Sequence, residues 1–288
     1  MKYFILLTII LEIIGLIKSE LILKPVKETG EDVALIIIIG ALMKPSSYIP
    51  LAQEIQKASS YRLWVGIPSF IFNMPDPITI SWNISSIKKE MEGLGMKTKF
   101  IFYGGHSLGA TVLQRYLYGQ QNVIGQIQMG SSLMRTYMSN LNKDGSSKMD
   151  YTVPTLTLNG CLDGLYRVTR VAESYYHHKL NQKNSTVVDN FPVVMVKGAT
   201  HMQFSSGVPS TQVLNNDLIP EISDEEAHST YGQIISSFMD FRMGKKADIL
   251  NNFIKQTEDI LNPIIEALQF EGSYHLKPPC FDKSLINR

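Results

Sequence analysis

Cysteine is scarce in this chain: its 288 residues include two, Cys161 and Cys280. Two are too few for a disulfide scaffold, and neither sits in a C-x-x-C or Cys/His spacing that would suggest metal, so no metal is expected. An oxidising compartment permits one bridge, which would staple the tail around Cys280 beside the Cys161 loop; two unrelated thiols are the other reading. A charge excess is lacking too. Lys and Arg number 27 against 26 Asp and Glu, a net charge of +1. With no basic stripe, nothing points to nucleic acid or an acidic partner. There is no internal repeat and no low-complexity tract.

Residues 3–17 differ in composition from everything after them, an apolar run broken only by Thr8, Glu12 and Gly15. About fifteen residues is short for a membrane-spanning helix but suits the apolar segment of a secretory leader, with Lys2 before it and Ser19 at a plausible cleavage point. We therefore read residues 1–19 as a signal peptide, with an uncleaved anchor as the rival. The mature chain is then expected to be secreted, or in the lumen of the secretory or endolysosomal pathway, with no stable membrane span after cleavage. The sequons at Asn83 and Asn184 fit such a chain as glycosylation candidates.

With 44% hydrophobic and 18% charged residues the chain can bury a full core, and we expect one α/β domain over residues 20–245. Residues 246–288 read as a C-terminal helix and a Pro-rich tail packed on the same domain. Residues 33–40 are apolar without alternation and too short to span a membrane, the pattern of a strand buried on both faces. Further strands are expected at 61–68, 99–103, 123–130, 153–158 and 192–196, and a short edge strand at 21–25. Helical patterns fall at 45–58, 80–94, 110–118, 168–180, 223–241 and 248–268. Strands alternating with helices predict a mostly parallel sheet of at least six strands with helices on both faces. Residues 131–150 form a polar excursion whose shape the pattern leaves open.

The chain is organised around Gly105-His106-Ser107-Leu108-Gly109, a G-x-S-x-G run between a strand and a helix. A strand that turns sharply into a helix holds its serine in a strained conformation, tolerable only where the flanking glycines lack side chains. The turn raises the Ser107 hydroxyl above the strand ends and aims the first helical amides into the same space. A serine hydroxyl needs a base to take its proton, and the base needs a carboxylate to orient it. Two later strands run into loops carrying Asp163 and His201, at the edge of a parallel sheet where such groups gather. Asp150 precedes its strand and belongs at the other end. His106 reads as packing near the nucleophile; Met43, Met74, Met134, Met138 and Met202 read first as ordinary packing, with an adaptable apolar lining of the site as the alternative.

Over residues 33–241 the chain resembles the α/β-hydrolase superfamily, in Gly40-Ala41-Leu42 after the first core strand, in the G-H-S-L-G elbow, and in the order Ser107, Asp163, His201. The elbow is similar to those of lipases and esterases. The resemblance implies Ser107 as nucleophile, His201 as general base and then acid, and Asp163 as the orienting carboxylate. It also implies an oxyanion hole from the amides of Leu108 and of Ala41 or Leu42. The sequence departs from the H-G-G-G form, with Ile39-Gly40-Ala41 in its place, but the donor is a backbone amide and survives the change. The expected activity is acyl transfer to water on a small-molecule or lipid-like ester, with no cofactor. An amidase or peptidase with the same triad, and an inactive hydrolase fold used for binding, are the alternatives. Dienelactone-hydrolase-like chemistry would want cysteine where Ser107 stands.

Overall fold

The computed structural model describes residues 20–138, 140–141, 147–180, 190–209 and 211–270. The leader expected at 1–19, the sequon at Asn184, Cys280 and the Pro-rich tail lie outside the described residues. Cys161, half-buried, forms no disulfide among them.

Seven strands of the described residues form one sheet: β1 (Leu21–Leu23), β2 (Asp32–Ile38), β3 (Arg62–Ile67), β4 (Ile101–His106), β5 (Gly125–Met129), β6 (Thr155–Gly160) and β7 (Val193–Val196), in the order β1-β3-β2-β4-β5-β6-β7. β1 runs antiparallel to β3, and every other pair is parallel. β2 lies inside the sheet, and Val33 to Ile39 are all buried, as an unbroken apolar run requires. The main helices are α1 (Ile49–Ala58), α2 (Ile80–Gly93), α3 (Leu108–Leu117), α4 (Val168–Leu180), α5 (Asp224–Arg242) and α6 (Asp248–Phe270). α1 and α5 pack together. α5 opens on the Ser-Asp-Glu-Glu signature, with Ser223 Oγ accepting the Glu226 amide at 3.1 Å.

The polar excursion holds a helical turn, Arg135–Met138, and a two-stranded ribbon pairing Asn140–Leu141 with Ser147–Lys148. α6 packs on β7, α4 and α5. There it covers a sheet edge: Thr257 Oγ1 accepts the Met195 amide at 2.8 Å, pairing a strand donor that an open edge would leave unmatched. No helix among the described residues is long and apolar enough to cross a membrane.

One expectation is overturned by burial. Asn83 is 3% exposed within α2 and its Nδ2 donates to Thr79 Oγ1 at 3.3 Å. A glycan needs a solvated asparagine amide, so the folded protein offers none at this sequon.

Candidate active site

The elbow is built by local sterics. Ser107 stands between β4 and α3 with φ 53° and ψ −119°, a conformation that costs a non-glycine residue on the order of 1–3 kcal/mol. A Cβ on Gly105 would come within 2.6 Å of Ala110 Cα, and one on Gly109 within 2.2 Å of the Ile39 carbonyl oxygen. Only glycine allows α3 to start so close to β4 and β2. The Ser107 amide donates to the Met129 carbonyl at 2.9 Å and its own carbonyl accepts the Ala110 and Thr111 amides, so both backbone groups of the strained residue itself are engaged.

The loops after β6 and β7 bring Asp163 and His201 together, both 3% exposed. Asp163 Oδ2 lies 2.8 Å from His201 Nδ1, and Oδ1 accepts the amides of Leu165 at 2.9 Å and Tyr166 at 2.5 Å. A carboxylate only accepts, so Nδ1 carries the ring proton and Nε2 is left as the basic nitrogen. Asp150 is elsewhere, its backbone amide bonded to the Tyr137 carbonyl.

His201 and Ser107 line one cavity of about 210 Å³ with Gly40, Ala41, Leu42, Met43, His106, Leu165, Met202 and Val213. Of the five methionines considered as an alternative lining, Met43 and Met202 border it. Met134 lines a separate cavity and Met74 is 39% exposed; the Met138 side chain lies outside the described residues.

The expected oxyanion donors separate. The Leu42 amide already donates to the Asn73 carbonyl at 2.8 Å, so Leu42 is withdrawn from the candidate pair. Ala41 remains on the wall of the cavity, and Leu108 opens α3, where a helix leaves its first amides without intrahelical acceptors.

Two contributors were not read from the sequence. Asp217 accepts four amides: Gly164 at 3.0 Å, His201 at 3.3 Å and Leu218 at 3.1 Å through Oδ1, and Met202 at 3.0 Å through Oδ2. It thereby ties the acid loop to the histidine loop, and no local pattern marks it, because three of the four partners, Gly164, His201 and Met202, are distant in sequence. Gly130 follows β5 at φ 57°, and a Cβ there would stand 2.8 Å from His201 Nδ1, so the imidazole has room only because this residue is glycine. A glycine at a strand end was the available signal. His106, expected as packing, makes hydrogen bonds through both ring nitrogens.

No protein-family model matches the chain, and no curated protein matches it. Solved structures do. Est1E from Butyrivibrio proteoclasticus aligns at 13% identity and a TM-score of 0.50, over 78% of this chain and 94% of that one. Est1E with ferulic acid bound aligns at 13% and 0.51, over 79% and 96%. An esterase domain from a Rhodothermus marinus protein aligns at 10% and 0.47, over 77% and 91%. At such identities the likeness is one of fold: the chain has the α/β-hydrolase fold.

Proposed function

We propose that this α/β-hydrolase fold carries a serine hydrolase that cleaves carboxylic esters through an acyl-enzyme on Ser107. The observation that supports it most is the strained Ser107 sharing one small cavity with His201, whose ring is paired with the buried Asp163 behind it. In this reading His201 Nε2 takes the Ser107 hydroxyl proton as Oγ adds to the ester carbonyl carbon. The carbonyl oxygen becomes an oxyanion facing the amides of Leu108 and Ala41. The tetrahedral adduct collapses, the carbon–oxygen bond to the alcohol breaks, and the alkoxide takes the proton from His201. Water then gives a proton to Nε2 and adds to the acyl-enzyme; collapse breaks the bond between the carbonyl carbon and Oγ, Oγ takes the proton from Nε2, and the free acid leaves Ser107 and His201 as they began. Asp163 keeps Nε2 unprotonated in the resting tautomer and stabilises the imidazolium that forms between the steps.

Apolar walls of Leu42, Met43, Leu165, Met202 and Val213 favour an uncharged acyl or alcohol group beside the reacting carbonyl. Esterases among the fold neighbours, one with ferulic acid bound, are in keeping with an ester substrate. A fluorophosphonate tests the chemistry: a covalent adduct on Ser107 of the folded protein, absent from Ser107→Ala, is expected. An unmodified Ser107 would remove the hydrolase reading. A panel of p-nitrophenyl esters from short to long acyl chains, with a peptide amide alongside, then ranks substrates. Secretion is part of the same proposal and rests on residues 1–19; retention of these residues on the protein exported by a eukaryotic host would count against cleavage.

A further inference from the structure

A buried tyrosine–histidine pair takes no part in the steps above, although it touches both sides of the site. Tyr48 closes the short helical turn Pro45–Tyr48 and is 0% exposed; His106, the residue before the nucleophile, is 1% exposed. Between them runs an unbroken series of hydrogen bonds. The Gly40 amide donates to Tyr48 Oη at 2.6 Å, Tyr48 Oη lies 2.8 Å from His106 Nδ1, and His106 Nε2 lies 3.1 Å from the His201 carbonyl oxygen. The protons can be assigned from chemistry alone. A carbonyl only accepts, so Nε2 carries the His106 proton, Nδ1 is an acceptor, and the Tyr48 hydroxyl donates to it. Burial and the neighbouring His201 hold the His106 imidazolium well below its ordinary pKa, which keeps the ring neutral and these roles fixed.

Each end of the series is backbone directly beside the proposed machinery. The Gly40 carbonyl accepts the Met43 amide at 3.3 Å, and in a trans peptide the Ala41 N–H of the same unit points the opposite way. The candidate oxyanion donor thus belongs to the Gly40–Ala41 peptide, the unit that directly follows the Gly40 amide held by Tyr48. A Cβ on Gly40 would stand 2.9 Å from His106 Nδ1 and 3.2 Å from Tyr48 Oη, so the loop is seated directly on the pair. At the other end the His106 ring lies 4.8 Å from the His201 ring, centroid to centroid.

We propose that Tyr48 and His106 are positioning residues, a strut that sets the Ala41 amide and the His201 backbone at a fixed spacing across Ser107. This rests on the serine-hydrolase reading. A pair that merely filled the core would, when altered, lower the melting temperature and leave turnover of the folded enzyme unchanged. A strut alters transition-state binding.

Two variants cut it at different bonds. Tyr48→Phe removes the hydroxyl that joins Gly40 to His106. His106→Asn keeps a side-chain amide within reach of Tyr48 but has nothing to reach the His201 carbonyl. For Tyr48→Phe we expect kcat on a p-nitrophenyl ester to fall roughly ten- to a hundredfold with KM held within about threefold, less than deletion of an oxyanion donor costs. Affinity for a trifluoromethyl ketone, which forms a tetrahedral adduct, should fall by a similar factor. His106→Asn should lower kcat in the same range and shift the low-field proton resonance of the His201–Asp163 hydrogen bond. Folded variants whose kcat stays within threefold of wild type, or whose whole loss is in KM, would overturn the strut. Should Tyr48→Phe not fold, His106→Asn decides alone. An active wild type with unimpaired variants removes the strut alone; a wild type that neither turns over esters nor takes a fluorophosphonate removes the hydrolase reading and the strut together.

Discussion

Ser107 and His201 meet the same cavity by different means. The serine is placed by its immediate neighbours: two glycines within two residues of it let α3 begin against β4 and β2, and the strained backbone follows from that contact. The histidine stands on an unstrained backbone, φ −60° and ψ −43°, and is held by side chains from elsewhere, Asp163 at its ring and Asp217 at its amide. A local device stores strain but needs little support. A non-local one is relaxed, and depends on partners that only the fold brings near.

Removing the chemistry from the strained side should have the largest effect. Ser107→Ala is expected to lower kcat about a millionfold while the protein remains folded, read by ester hydrolysis and circular dichroism. Ser107→Gly should be equally inactive yet more stable than Ser107→Ala by about 1 kcal/mol in urea titration, because glycine adopts positive φ without the side-chain penalty. Equal stabilities would show that the elbow stores no strain.

On the supported side Asp163→Asn should reduce kcat by about ten-thousandfold, since an amide at this position can hold the imidazole in the wrong tautomer. Asp217→Ala removes an acceptor shared by four amides. It should lower activity by roughly tenfold and stability by about 1–3 kcal/mol, with the activity loss in kcat, because it frees the histidine loop without touching the reacting groups. An Asp217→Ala variant with wild-type kcat would mean that the histidine loop holds itself.

The smallest effect on activity is expected away from the site, where a buried histidine changes only how stability depends on pH. His178 is buried on α4 beside Phe191, and burial with the neighbouring His177 lowers its pKa from 6.5 to about 4. The unfolded chain therefore takes up this proton as pH falls through 6.5, while the folded protein resists until about 4. Between those values the unfolded state binds more protons, so stability falls as pH falls, by up to roughly 3 kcal/mol from this group. His178→Gln should flatten that slope in denaturant titrations from pH 7 to 4.5. An unchanged slope would assign the acid sensitivity to other groups.

The order of strands and helices was legible because each element carries its own period and its own stops: β2 as an unbroken apolar run, α5 with its cap at Ser223. The positions of Asp163 and His201 at one rim followed from the parallel alternation, which places the loops after β6 and β7 side by side. Asn83 read as a surface sequon, because three residues carry no information about which face of α2 turns inward. Leu42 read as a donor equivalent to Ala41, because the chain does not show that the Asn73 carbonyl comes to meet it.

Taken by itself, the sequence determined the α/β alternation and the strained turn at Ser107, since both arise from local patterns and sterics acting within a few residues. The tertiary structure alone decided which amide stays available beside Ser107, which carboxylate binds the histidine loop, and that Tyr48 and His106 join the two sides of the site. Those are hydrogen bonds between segments remote in the chain, and their geometry comes into being only when the sheet and its helices pack.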